Sequence, residues 1–581
     1  MGKALSALPK EIEVTVNQWL SGAFDEETKS AIREIKETSP EKVVDAFYKR
    51  LEFGTGGMRG LMGPGTNRMN KYTVRAAALG LARYIKKNRI AHPSVVISYD
   101  SRLHSKEFAS EAARVLAQEG ITVHLFEELR PVPIVSFAVR HKKATAGIMI
   151  TASHNPPEYN GFKVYWSDGS QVLPPHDKGI VSEVTQIENL DEIALAPADS
   201  PLIESLGSEI DEAYLDAISP LQSTPEVNLQ KGEELKIVYT PLHGAGVTMV
   251  PKALAMWGFI NQSIVQEQSV PDGTFPTVVA PNPEIASTLK LGIQQLLEQN
   301  ADLLLATDAD SDRVGCVVNH AGTIHILTGN EIAAICVEHL LEHAKVNDKM
   351  CVVKSMVTTE LLRAITTYWK VDCLDVLTGF KYIGQKMTNW EKSGEKEFLF
   401  GCEESFGYLL GTYARDKDAV IACALLAEVA LNAKLKNETL VDCLHHLYKK
   451  YGVYRSHLKS VNFEESKAGR EAMEKAMKRL RDAPPAEILG SKIVRTDDFL
   501  TGQQKNLESG EVAPLDFPKS NVLIFHLEGG IKLTIRPSGT EPKIKLYVEV
   551  RDEKDSPVDL GIEHCDVLAK DFLDTVTSLL Q

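Results

Sequence analysis

Short apolar runs, each closed by Gly, Pro or Asp, alternate with amphipathic stretches along most of the chain. "YTVRAAALGLARYIKK" repeats Val74, Ala78, Leu81 and Ile85 at the spacing of one helical face. "SVVISYD" is a buried-strand pattern. "SKEFASEAARVLAQEG" is a helix opened by Ser105 and stopped by Gly120, and "ITVHLF" is a second strand. Strand–helix–strand is the unit of a mostly parallel sheet. "ATAGIMIT" is a further strand, and it runs directly into "TASHNPPEYNGFKVY" (Thr151–Tyr165), a loop broken by Pro and Gly.

The alternation recurs. "LKIVYTPLHGAG" with "TMVPKALAMWGF" predicts strand, Gly loop and helix, and "ADLLLATDADSDR" predicts a strand ending in three aspartates. "KMCVVKSMV", a helix, "DCLDVLTGFKYIG" and "EFLFGCEESFG" form a third set. Three α/β blocks thus push polar loops off strand ends, where open α/β sheets bind ligands. The tail differs: "VLIFHLEGGIKLTIRPSGTEPKIKLYVEVRD" reads as consecutive hairpin-like strands before the helix "HCDVLAKDFLDTVTSLL", an α+β arrangement. A helical lead-in precedes the first block. Linkers are expected near 195–201, 223–234 and 482–487.

Composition narrows the function classes. At roughly 150 residues per domain, the 581 residues suggest about four domains. The formal net charge of −15 argues against a nucleic-acid partner. It leaves room for a small anion in a local basic pocket. The eight cysteines form no CxxC pair and read as free, mostly buried thiols of a reducing compartment. The N-terminus lacks a continuous apolar segment, so a cytoplasmic chain is expected, although "MGKALS" fits a loose lipidation pattern. The longest apolar run, "AVIACALLA", is stopped by Glu428; it predicts a core helix and no membrane span.

Four loops carry candidate chemistry. In "TDADSDR", Asp308, Asp310 and Asp312 alternate. On an extended strand they would stand ~6.7 Å apart, too far for one small ion, so the loop must curl. All-oxygen ligation of that kind suits Mg²⁺. An EF-hand fails, because Arg313 and Asn319 stand where Gly and Glu are needed. A solvated acidic turn is the plain alternative. Ser153 lacks the glycines of a hydrolase elbow. In extended backbone His154 would point away from it. Ser153 and Lys163 taken alone are equally a turn residue and a surface lysine. "RPSGTEPK" offers the Arg536 fork with Ser538, Gly539 and Thr540 to an anion, or it is a hairpin turn. "GCEESFG" alternates Glu403 and Ser405, suited to sugar hydroxyls, with Arg415 and Lys417 of "ARDKDA" nearby as a second anion contact.

These four motifs, in this order, resemble those of the α-D-phosphohexomutase superfamily over about Phe53 to Val550. The lead-in and "FGTGGMRG" look most like its phosphoglucomutase/phosphopentomutase branch. The resemblance implies three α/β domains with mixed sheets plus a C-terminal α+β domain around a central cleft. Applied to this chain, it suggests a helical extension over 1–45 and domains over 46–215, 216–328, 329–450 and 451–581. It implies that Ser153 carries a phosphoryl group and that Asp308, Asp310 and Asp312 hold Mg²⁺ with a phosphoserine oxygen. Arg59 and Arg313 would stabilise the transferring phosphoryl. His154 and Lys163 would contact it or assist proton transfer, Lys163 being the better candidate. Thr378, Gly379 and Lys381 would line the sugar site, and Glu403 and Ser405 would bind its hydroxyls. Arg415, Lys417, Arg536, Ser538, Gly539 and Thr540 would hold the other phosphate.

The implied reaction interconverts glucose 1-phosphate and glucose 6-phosphate through a phosphoserine and glucose 1,6-bisphosphate. The implied partner is a small sugar phosphate, and the chain would be a monomer or dimer. Pentose and mannose phosphates remain alternatives. Cys402 stands where many glucose-type members carry Gly or a bulky apolar residue. A phosphatase using Asp308 would want Thr at position 312, which is Asp. A non-catalytic sugar-phosphate binder would not need the intact Ser153 and aspartates.

Overall fold

The structure is a computed structural model describing residues 8–54, 56–464, 466–539, 542–553 and 557–580. The "MGKALS" pattern and Thr540 lie outside the described residues. The chain forms two compact units. The first runs to Leu327 and adds Gly384–Gly394 and Ser405–Asn432; the second holds Thr328–Ile383, Glu395–Glu404 and the chain from Ala433.

The lead-in is helical, as expected: Lys10–Ser21, Glu26–Thr38 and Pro40–Phe47. It is not an appendage. Ile12, Val16, Trp19, Ile32 and Val43 are buried in the same core as Tyr72, Val74 and Ile148. Trp19 stacks on Phe24 at 4.2 Å, and Asp25 caps the second helix through the Thr28 N–H.

The first sheet has strands β1 (Gly57–Leu61), β2 (Ser94–Tyr99), β3 (Thr122–Phe126), β4 (Ala146–Ile150), β5 (Tyr159–Trp166) and β6 (Ile203–Leu206). Their order is β1-β5-β4-β2-β3-β6. Strands β4, β2, β3 and β6 run parallel, while β5 pairs antiparallel with β4 and β1 pairs antiparallel with β5. The helix predicted to open at Ser105 spans Ser105–Gln118, but its cap is His104 at φ +63°. The Ser105 hydroxyl donates to Asp100 instead. Half of "TASHNPPEYNGFKVY" is strand β5, not loop. A Cβ on Gly57 (φ +135°) would lie 1.8 Å from the Phe162 carbonyl oxygen, so only glycine lets β1 pair with β5 there.

The second sheet has β7 (Ile237–Thr240), β8 (Gln262–Ile264), β9 (Leu303–Thr307), β10 (Val314–His320) and β11 (Thr323–Leu327), ordered β11-β10-β9-β7-β8. The segment expected as a linker near 223–234 contains a helix, Pro225–Lys231. Buried Glu428 holds it in place, accepting from the Ser223 and Thr224 N–H groups and from Asn228 Nδ2. The apolar run before Glu428 is the buried core helix Ala419–Lys434.

In the second unit, β12 (Met350–Ser355) pairs in parallel with β13 (Asp372–Val376) and β14 (Glu397–Glu403). The chain returns to the first unit with β15 (Gly407–Leu410). The second unit then adds β16 (Val453–Asn462), β17 (Glu487–Ile488), β18 (Ser491–Asp498), β19 (Gln503–Asn506), β20 (Val512–Pro514), β21 (Leu523–Leu527), β22 (Lys532–Pro537) and β23 (Lys543–Asp552). These make an antiparallel sheet ordered β16-β23-β22-β21-β18-β19-β20, with β17 on β18. The helix Val558–Leu580 packs on it. The expected mixed α/β sheets and antiparallel tail are therefore present. All eight cysteines are free, and seven are buried. No helix among the described residues is long and apolar enough to cross a membrane.

Candidate active site

In the first unit, the carboxyl ends of β4 and β9 bring Ser153 and the aspartate loop together. Ser153 Oγ donates to Asp308 Oδ2 at 2.7 Å. Ser153 is buried, with φ +52°. That left-handed backbone corrects the expectation that His154 points away: His154 Nδ1 is 3.0 Å from Ser153 Oγ. The serine hydroxyl has one proton. Given to Asp308, it leaves His154 Nδ1 as the donor to Oγ. Burial, then Arg313 and Arg59, pushes the His154 imidazole well below its ordinary pKa, so the ring is neutral near pH 7.

The loop conformation is imposed by a residue that sequence reasoning missed. Buried Arg102 donates to the carbonyls of Ser153, Asn155, Pro156 and Tyr159. Asp100 in turn accepts from the Arg102 N–H and from Ser105 and Thr151. The signal was "SYDSR", a charged pair at the end of a buried strand. An Arg at that position can satisfy several carbonyls of a neighbouring loop.

Asp308, Asp310 and Asp312 are buried, and one carboxylate oxygen of each lies within 4.8 Å of the others. The loop has curled, as ion binding requires. The Asp312 and Arg313 N–H groups donate to Asp308 Oδ1. Asp310 Oδ1 and Asp312 Oδ1 are buried without a hydrogen-bond partner among the described residues. Convergent carboxylates with unused lone pairs are the donor set of a hard divalent cation. Burial, then Asp310 and Asp312, pushes Asp308 well above the usual carboxylate pKa. Burial acts the same way on Asp312, but Lys163, Lys417 and Arg313 outweigh it and hold that carboxyl well below the usual range.

Strand β5 delivers Lys163, whose Nζ lies 2.7 Å from Asp310 Oδ2 and 3.2 Å from Asp312 Oδ2. Burial opposes its charge, but the two aspartates hold the ammonium above its ordinary pKa. A lysine so held carries a positive charge beside the two aspartates. Arg59, exposed on β1, donates to Asn155 Oδ1 at 3.0 Å. Arg313 pairs with Glu284 beside the aspartates.

Two residues expected at the far phosphate behave differently. Arg415 is buried; it donates to the carbonyls of Thr412 and Ala414 and pairs with Glu391 at 2.8 Å. Its fork holds its own loop, which corrects its expected phosphate role. Lys417 belongs with the aspartates, its Nζ 3.1 Å from Asp312 Oδ2 and 3.0 Å from Asp416 Oδ1. The division between the units cuts "GCEESFG": Ser405 lies in the first and Glu403 in the second.

The second unit assembles another group. Glu403 is buried at the end of β14 and accepts from the Gly379 N–H at 2.8 Å, which ties the Thr378–Lys381 loop to it. Gly379 has φ +119°. Lys381 Nζ lies 5.5 Å from the Tyr382 ring centroid. Cys402 is fully buried, away from solvent. Glu404, not singled out by sequence, accepts from Ser355 Oγ at 2.9 Å. Burial, then neighbouring Glu403, pushes its carboxyl up to about 7. Arg536 on β22 bonds Tyr547. Ser538 and Gly539 follow at the strand end, where the Ser538 N–H donates to the Lys543 carbonyl.

Sequence models of phosphoglucomutase/phosphomannomutase match four segments: α/β/α domain I over 50–191, domain II over 212–322, domain III over 328–451 and the C-terminal domain over 464–556. A phosphoglucomutase of Staphylococcus epidermidis is 36% identical over 541 residues, covering 92% of this chain and 95% of that one. One from Staphylococcus aureus is 36% identical over 511 residues, 87% of this chain and 91% of that one. Among solved structures, a putative phosphomannomutase from Thermus thermophilus superposes with TM-score 0.68 at 21% identity, covering 92% of this chain and 99% of that one. The open form of the Paramecium phosphoglucomutase pp63/parafusin has TM-score 0.68 at 17% identity, covering 91% and 95%. These two likenesses concern the fold.

Proposed function

The chain belongs to the phosphoglucomutase/phosphomannomutase family, and from that membership we propose that it interconverts α-D-glucose 1-phosphate and glucose 6-phosphate. It is an isomerase-class phosphotransferase of carbohydrate metabolism. Ser153 carries the phosphoryl group and glucose 1,6-bisphosphate is the intermediate and activator. The observation that carries the reading is the Ser153 Oγ–Asp308 contact inside a buried triad of carboxylates flanked by two lysines.

Asp308, Asp310, Asp312 and a phosphoserine oxygen are the residues that would hold Mg²⁺. When bound, Mg²⁺ supplies Lewis-acid stabilisation of phosphoryl oxygens. The rest is done by the chain. Phosphoryl transfer needs positioning and charge stabilisation more than covalent assistance. Lys163, Lys417, Arg59 and Arg313 supply positive charge to the oxygens that develop negative charge. His154, neutral and with Nδ1 as the donor to Ser153 Oγ, is suited to hold the serine oxygen in place, while the hydroxyl proton faces Asp308 Oδ2. Lys163 acts as a charge. Burial of Ser153 protects a phosphoserine from water. Glu403, Ser405 and the Thr378–Lys381 loop take the sugar, and Arg536 with Ser538, Gly539 and Thr540 takes the other phosphate.

Intact-protein mass and a coupled assay test this. The active chain carries the mass of one phosphoryl on Ser153, loses it to sugar monophosphate, and exchanges isomers without releasing phosphate. Active protein that never carries the adduct would overturn the mechanism. A tenfold preference for ribose 1-phosphate in kcat/KM, about 1.4 kcal/mol, would overturn the sugar.

A further inference from the structure

Within the second unit, between the 356–375 segment and the antiparallel sheet, lies a cavity of about 510 Å³. Small-molecule pockets span ~300–1,000 Å³. None of Thr378, Gly379, Lys381, Glu403 or Arg536 lines it. Its apolar wall includes Met356, Phe499, Leu515, Phe517 and Ile524, with the Phe499 and Phe517 rings edge to face at 5.1 Å.

The polar wall carries two charge clusters. In one, Lys354, Arg363 and Lys532 converge on Glu360 and Asp375, at 2.6 to 3.1 Å. In the other, Arg495 Nε is 3.0 Å from Asp497 Oδ1, and Arg495 Nη2 is 2.6 Å from His526 Nε2. Of these, Arg363, Lys532 and Arg495 line the cavity with Glu360, Asp375 and Asp497, three cations and three carboxylates before His526 is counted; buried Lys354 is not among the lining residues. Arg495 Nε, Asp497 Oδ1 and Asp375 Oδ1 are buried and at ion-pair distance, yet none makes an aligned hydrogen bond among the described residues. Buried polar atoms are seldom left so, and a polar guest would complete them.

We propose that this cavity is a second small-molecule site that takes a nucleoside monophosphate. A flat base finds π surfaces in Phe499 and Phe517. The phosphate finds Arg495 and Lys532. Base N–H and ribose hydroxyl donors find Asp497 and Glu360. The occupant bears on sugar binding. Leu377 and Tyr382, which flank Thr378–Lys381, pack in one apolar cluster with Met356, Phe499, Leu515, Phe517 and Ile524. Only this effect rests on the mutase reading; binding does not. The nucleotide therefore changes KM for sugar phosphate while phosphorylation of Ser153 is untouched.

Titration calorimetry of the full chain with AMP, GMP and UMP tests the site, with ribose 5-phosphate and inorganic phosphate as ringless controls. Saturable binding of at least one nucleotide is expected, undisturbed by saturating glucose 6-phosphate. Phe517→Ala and Arg495→Ala weaken it tenfold or more. Gln504→Glu, at a half-buried lining position, puts a negative charge against the phosphate and weakens it too if either first variant fails to fold. No nucleotide binding up to about 1 mM overturns the proposal. So does equal binding of the ringless controls, or binding displaced by glucose 6-phosphate and indifferent to all three variants. Absence of mutase activity would sink the proposed function but leave this binding result readable.

Discussion

Ser153 Oγ and Asp308 Oδ2 meet at 2.7 Å although 155 residues separate them. The contact joins the carboxyl ends of strands in two different sheets. Ser153→Ala removes the phosphoryl carrier, so mutase activity falls by on the order of 10³-fold or more. One hydrogen bond to stability is worth about 1 kcal/mol, so the variant stays folded. Coupled assay, intact mass and thermal melting measure the three outcomes; an active Ser153→Ala chain would refute the carrier role.

Asp416 aims Lys417. Its Oδ1 accepts from Lys417 Nζ at 3.0 Å, while Oδ2 accepts from Tyr165 at 2.8 Å and Gln171 at 3.1 Å. Asp416→Asn loosens the lysine beside Asp312 and lowers kcat between about 10- and 100-fold, with KM little changed. Asp416→Glu recovers part of it. Steady-state kinetics separates this from general damage, which would lower the amount of active enzyme in both variants alike.

Three buried carboxylates in one loop repel one another, and with burial this pushes Asp308 far up. Adding Mg²⁺ relieves that repulsion and raises the melting temperature; at a hundredfold excess over Kd the gain is ~2.7 kcal/mol. Asp310→Ala abolishes the rise. Calorimetric melts with and without chelator decide it, and a metal-indifferent wild type would count against the site.

Glu404 titrates at about 7 in the folded chain against an ordinary 4.5. Between those values the unfolded chain has released a proton that the folded chain still holds. Stability therefore falls as pH rises from about 4.5 to about 7. Glu404→Gln flattens that window and is the more stable form at pH 8. Melting curves across pH test it: an unchanged slope in the variant means another group is responsible.

Gly57→Ala forces a Cβ to within 1.8 Å of the Phe162 carbonyl oxygen at a φ that L residues rarely adopt. Loss of about 3 kcal/mol or more is expected, with β1 and Arg59 displaced from β5. Denaturant unfolding measures the first and sugar-phosphate KM the second.

The resemblance of the loop motifs singled out Ser153 and the three aspartates as candidates, while the repeated apolar runs determined the element types and the three α/β blocks with an antiparallel tail. The element types and blocks follow from residue type and local period, which a sequence displays directly. Side-chain direction did not follow. His154 turned toward Ser153 because Arg102 and a φ of +52° bent the loop. Lys163 came to pair with Asp310 and Asp312 because β5 set it between those two carboxylates. Arg415 turned inward to Glu391, and Lys417 reached Asp312. Each of these depends on a partner tens to hundreds of positions away and on how burial weighs against that partner's charge, and only the folded chain brings the two together.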